Sequence, residues 1–178
     1  MALKPTIFKF EISLADMDRD CYESLSLTVA QHPSETMERM MVRVLARCLY
    51  HDEQLTFTRG LSENDEPDLW QMSLDGRIER WIEVGEPSLD RLKKASRLAE
   101  DVVVISFNTR SDVWWRQLSA KLPAGTASVF HLDWASVQTL AGLVERTGDL
   151  SVTINRPSLF VAAAGGEVEL TLERLSDA

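Results

Sequence analysis

Two cysteines, Cys21 and Cys48, are too few for a disulfide framework. Cys48 falls on the apolar stripe of a predicted helix, where a reduced thiol packs as a small hydrophobe, so a reducing compartment is expected. Long apolar runs are missing too. The longest, 102–107 (with Ser106 inside) and 159–164, fall far short of the roughly 18 residues a membrane helix needs. The first eleven residues hold no apolar stretch of signal-peptide type, and a cytoplasmic location is expected. Cations are the minority, 19 Lys and Arg against 28 Asp and Glu, for a net charge of -9. That balance opposes loose, charge-driven attachment to nucleic acid or an anionic membrane, which needs clustered cations.

Several chemical signatures are absent as well. The chain has no Gly-rich phosphate loop, nucleophile elbow, internal repeat, low-complexity segment or flexible linker. His32, His51 and His131 lack metal-ligand spacing, so no zinc site is expected. Asp16, Asp18 and Asp20 begin like a calcium loop, but its sixth position is Cys21 and its twelfth Leu27, which leaves an acidic turn.

What is present is the material of a globular α/β domain. The 178 residues are 44% hydrophobic and 26% charged, enough for a substantial core. Residues 6–14 alternate Phe8, Phe10, Ile12 and Leu14 with polar residues, the period of a half-buried strand, and 22–30 reads as a second strand. Pro33-Ser34 starts a helix that runs to about Tyr50, with Ser34 as its N-cap and Glu35 as a first-turn acid. A short strand at 55–58 and two strands about Asp75-Gly76 follow, then a helix over 88–100. The segment 102–107 is apolar on both faces and belongs in a sheet interior. A helix over 111–120, a strand over 127–132 and a helix over 134–146 capped by Asp133 come next. Strands at 150–155, 159–163 and, after a Gly165-Gly166 turn, 168–172 end the chain. This order predicts a mixed sheet with helices against it, in one domain of 1–178.

The hairpin 67–85 carries the chemistry. With Asp75-Gly76 as a two-residue loop, Trp70 opposes Trp81 and Asp68 opposes Glu83. Directly opposed carboxylates about 5 Å apart at an effective dielectric near 20 repel by about 3 kcal/mol. A shared proton or a divalent cation such as Mg²⁺ would relieve this. The alternative is that Asp68 sits at a frayed strand start and Glu83 pairs with a nearby Arg. A three-residue loop with a bulge would place the two acids on opposite faces. Glu38, at the edge of the stripe formed by Met37, Met40, Met41, Val44, Leu45, Cys48 and Leu49, is a third candidate ligand, or else a half-exposed residue bonded to Arg or backbone. Arg39, Arg43 and Arg47 form a stripe read as a solvated face pairing with surface acids, with a phosphate track as the sharper reading. Arg91, Lys93, Lys94 and Arg97 lie on the helix leaving Glu83, whose early turns can swing a cation back to the acids. Of the five tryptophans, Trp70, Trp81, Trp114 and Trp115 are assigned to packing rather than base stacking.

A Glu-bearing helix, a hairpin with Asp entering one strand and Glu late in the next, then helix and strand, resembles the PD-(D/E)xK nuclease superfamily. HPSETMERMMVRVLA (32–46), FTRGL (57–61), DEPDLW (65–70), WIEVGEP (81–87) and RLKKA (91–95) are more narrowly similar to the bacterial YaeQ family, over essentially the whole chain. The resemblance implies a restriction-endonuclease-like mixed central sheet flanked by helices, its core near 33–132, with the N-terminal hairpin and C-terminal strands as elaborations. It implies Asp68 and Glu83 as motif acids, with Glu38, binding Mg²⁺ or Mn²⁺ as substitute. The motif's lysine is Gly85 here, which makes Lys94, then Lys93, the candidate replacement. The expected activity is Mg²⁺-dependent phosphodiester hydrolysis of nucleic acid. The alternative is a catalytically inactive binding or regulatory protein on the same scaffold, linked to transcription or nucleic-acid handling.

Overall fold

Thr6–Asp16 buries Phe8, Phe10, Ile12 and Leu14 and turns the intervening residues outward, as its two-residue period requires. It is β1 of a computed structural model that describes residues 3–177. The elements that follow are β2 (Cys21–Gln31), α1 (Met37–Leu49), β3 (Leu55–Phe57), β4 (Leu69–Met72), β5 (Ile78–Val84), α2 (Leu89–Leu98), β6 (Ala99–Ser106) and α3 (Ser111–Ser119). Then come β7 (Ser128–His131), α4 (Trp134–Leu143), β8 (Thr147–Asn155), β9 (Ser158–Ala163), β10 (Gly166–Thr171) and β11 (Glu173–Arg174). Two compact units result: the segment ending at Leu49 with Asp133–Leu172, and Tyr50–Leu132 with the segment beginning at Glu173.

In the first unit the terminal strands form a sheet of their own, ordered β10-β9-β8-β1-β2, in which β1 and β8 run parallel and the other pairs antiparallel. Helix α1 packs on α4 and β2, and α4 on β10. The turn between β9 and β10 falls one residue earlier than expected, and Gly166, at φ +142°, already belongs to β10.

Helix α1 begins two residues later than its sequence suggests. Ser34 is engaged with the His32 ring at 2.7 Å, and Thr36 takes the capping role by accepting from the Arg39 N–H at 3.1 Å. Glu35, expected as a first-turn acid, is instead buried between two arginines. The Arg43 Nη2 and Nε lie 2.5 and 2.8 Å from its carboxylate oxygens and the Arg39 Nη1 lies at 2.7 Å, while Arg43 also donates to the Ala30 carbonyl at 2.8 Å. Arg43 is therefore buried, and the arginine stripe is not a solvated face. Cys48 is buried on the apolar side of α1, where loss of hydration pushes its thiol up to about 12. In the native protein Cys48 is expected to resist alkylation by iodoacetamide at pH 8 and to react once urea unfolds the chain, as read by peptide mass spectrometry. Rapid native labelling would contradict this packing.

The second unit holds a mixed sheet ordered β11-β7-β6-β5-β4-β3, parallel at β5/β6 and β6/β7 and antiparallel elsewhere. The expectation of an interior β6 and of a mixed sheet flanked by helices is met. Trp81, Val102, Val104 and Val129 on one sheet face pack with Leu92 and Ala95 of α2 and Leu118 of α3. Ser88 caps α2 and Asp133 caps α4, both by side-chain acceptance of a backbone N–H. β11 is a two-residue strand with no signal in the sequence. Among the described residues no helix is long and apolar enough to cross a membrane.

Candidate functional site

The hairpin reaches its expected register by an unexpected route. Ser73 N–H donates to the Arg77 carbonyl at 2.8 Å, so the loop has three residues, Leu74, Asp75 and Gly76, with Gly76 at φ +88°. Further along, Gln71 pairs with Arg80 and Met72 with Ile78, which leaves Glu79 as a bulged residue in β5. The extra loop residue and the bulge cancel. Trp70 therefore pairs with Trp81, as expected for a two-residue loop, with ring centroids 6.5 Å apart in an edge-on arrangement.

Asp68 and Glu83 consequently stay close to one another, and both are buried. Asp68 stands just before β4, where its N–H donates to the Ile82 carbonyl at 3.0 Å and its Oδ2 accepts the Val84 N–H at 2.8 Å. The carboxylate thus extends the ladder beyond the strand's end. Thr58 fixes this Pro67-Asp68 step from β3's side, its hydroxyl donating to the Pro67 carbonyl and its N–H to the Asp68 carbonyl. Glu83 Oε1 accepts from the Trp81 indole at 2.8 Å and from Arg91 Nε at 2.6 Å. Burial, and then the negative charge of Asp68, push the Glu83 carboxyl above its ordinary range, against the opposing pull of Arg91 and the Trp81 hydrogen bond.

Arg91 does more than pair with Glu83. Its Nη1 donates to the Asn64 carbonyl and its Nη2 to the Glu66 carbonyl, each at 2.7 Å, so one guanidinium ties helix, hairpin and the loop before Pro67 together. Lys94 instead reaches Asp65 at 2.7 Å on the surface. Lys93 is half-buried. Gly85, in the place of the motif lysine, has φ +111°, a backbone conformation that disfavours any side chain. Glu38 is half-buried on α1, in the other unit. Among the described residues neither Asp68 nor Glu83 belongs to a group of three clustered metal-ligating side chains. A divalent ion here would compete with Arg91 and the Trp81 indole for Glu83 Oε1, and with a backbone N–H for Asp68 Oδ2. Each acid thus has one carboxylate oxygen already engaged by the protein.

These features define an α/β protein with two mixed sheets flanked by helices, one of which carries a buried acid pair closed by an arginine. The chain belongs to the YaeQ family: a model of the YaeQ protein matches residues 1–172. It is 41% identical over 174 residues to the "Uncharacterized protein YaeQ" of Salmonella typhi, covering 97% of this chain and 96% of that one. The protein of the same name from Escherichia coli K12 is 40% identical over the same length, with the same coverage. The crystal structure of the YaeQ protein from Xanthomonas axonopodis pv. citri superposes with a TM-score of 0.92 at 36% identity, covering 98% of this chain and 99% of that one. That of the YaeQ protein from Pseudomonas syringae gives 0.91 at 38%, covering 98% and 97%.

Proposed function

We propose that this protein is a non-catalytic binding or regulatory protein whose second unit keeps a sheet plan resembling the PD-(D/E)xK nucleases. The observation that supports this reading is Arg91. In a working site of that type the acids present free oxygens to Mg²⁺ and the lysine faces the reacting phosphate. In this chain the guanidinium occupies Glu83 and is itself held by two loop carbonyls. Gly85 offers no cation, and Lys94 is engaged with Asp65. The partner in this reading is a nucleic acid or a protein of the transcription machinery, held by local complementarity because the net charge opposes non-specific attachment.

One observation favours the nuclease reading, with Asp68 and Glu83 as metal ligands and Lys94 or Lys93 as the cation. Burial, and then the negative charge of Asp68, raise the Glu83 carboxyl, and a divalent ion would offset both. Thermal melts of the protein and of Asp68→Asn/Glu83→Gln in millimolar Mg²⁺ and Mn²⁺ separate the two. An ion at 100 times its Kd would add about 2.7 kcal/mol. No shift is expected, together with equal background cleavage of single- and double-stranded DNA and RNA by both proteins. A rise in melting temperature or a cleavage activity that the double variant abolishes would overturn the proposal.

A further inference from the structure

Three polar side chains of the second unit stand in one row across adjacent strands. Ser106 on β6 is the register partner of His131 on β7, and His131 is the partner of Glu173 on β11. Register partners project from the same face. That face also carries Val104 and Val129, two residues earlier on their strands. Ser106 is fully buried and its Oγ lies 2.9 Å from His131 Nδ1 and 3.2 Å from the Phe130 carbonyl. A carbonyl can only accept, so the serine proton goes to Phe130 and the serine oxygen accepts from Nδ1–H. In that tautomer the ring's lone pair is on Nε2. Among the described residues the His131 ring makes no other hydrogen bond or ion pair, and Glu173, which is exposed, makes none through its side chain.

We infer that His131 Nε2 and the Glu173 carboxylate form a two-ligand site for a borderline divalent ion of the zinc or nickel type, with water completing its coordination. Directly opposed residues of an antiparallel pair have Cβ atoms about 4.5–5.5 Å apart, which lets a glutamate and an imidazole converge on one ion. Imidazole nitrogen with carboxylate suits Zn²⁺ and Ni²⁺, whereas Mg²⁺ prefers oxygen throughout. Ser106 is a positioning residue: a metal-ligating histidine commonly has its second nitrogen held by a hydrogen bond that fixes tautomer and ring orientation, and a buried hydroxyl supplies it here. Histidine spacing could not disclose the site because its second ligand is a glutamate on a strand invisible in the sequence. The inference does not involve Asp68, Glu83 or Arg91 and stands apart from the proposed function.

The test is calorimetric titration of the whole protein with ZnCl₂ and NiCl₂, alongside long-range ¹H–¹⁵N spectra of the histidine rings. One saturable equivalent is expected, with the His131 Nε2 resonance shifting on ion addition. Binding should vanish in His131→Ala and weaken at least tenfold in Glu173→Gln, while Ser106→Ala should give a mixture of His131 tautomers and weaker binding. His131 and Glu173 are outside the buried core, and the amide spectra verify that the variants are folded. Absence of saturable binding, binding undiminished in His131→Ala, or binding unchanged in Glu173→Gln would overturn the site.

Discussion

Arg43→Ala is expected to lower the unfolding free energy by about 3 kcal/mol or more in urea titrations at pH 7. Two of the three close cationic contacts on Glu35 come from Arg43, and the Glu35 side chain is 1% exposed. Truncation would leave a buried carboxylate with Arg39 and the His32 N–H, and would also remove the Arg43 hydrogen bond to the Ala30 carbonyl. Most of the cost comes from the charge left behind rather than from the net worth of the pair. Arg43→Met/Glu35→Gln, which removes both charges and keeps the volume, should therefore recover at least half of the loss. Against a typical total of about 5–15 kcal/mol, a 3 kcal/mol loss is readily measured. A loss below about 1 kcal/mol for Arg43→Ala would show that Arg39 and solvent suffice to hold Glu35.

This pair marks where local pattern stops being informative. The spacing of Arg39, Arg43 and Arg47 is the same for a solvated stripe and for one turned onto a buried acid. The choice is made by Glu35, which lies outside the helix once Thr36 takes the cap. Strands with strict alternation or continuous apolar runs, β1 and β6, were legible because burial alone dictates their pattern. That the terminal strands form their own sheet was not, since the parallel pairing of β1 with β8 joins segments far apart in the chain. The hairpin was legible in its outcome and not in its mechanism. Opposed tryptophans and neighbouring acids follow from the strand pattern, but a loop residue and a bulge that cancel leave no trace in it. Glu83's pairing with an arginine was one of two readings open from sequence, and the structure bears it out with Arg91. Helix phase alone left Arg91, Lys93 and Lys94 as rival cations, and only the path of the loop through Asn64 and Glu66 separates them.

Arg91→Ala is expected to destabilise the protein by about 2–4 kcal/mol at pH 7.5, with the loss shrinking as the pH is lowered toward 5. The size follows from three hydrogen bonds lost at once and from a buried carboxylate left beside Asp68. The pH dependence follows from the direction of the Glu83 shift. A carboxyl raised in the folded state holds a proton that the unfolded chain releases, so ionised Glu83 penalises folding above its raised pKa. As pH falls through that value toward the ordinary carboxylate range, native Glu83 becomes neutral and the penalty disappears. Arg91 is a restraining influence on this shift, so its removal raises the pKa further and widens the window in which acid relieves the variant. Glu83→Gln placed on the Arg91→Ala background should recover part of the stability at pH 7.5 and little at pH 5, because the glutamine reproduces the protonated state. Freed from the guanidinium, the loop around Asn64 should also become the first site of limited proteolysis. Urea titrations of the single and double variants across this pH range decide the matter. A difference between wild type and Arg91→Ala that stays constant with pH would mean that Arg91 acts by holding the Asn64 and Glu66 carbonyls alone, with no electrostatic bond to Glu83.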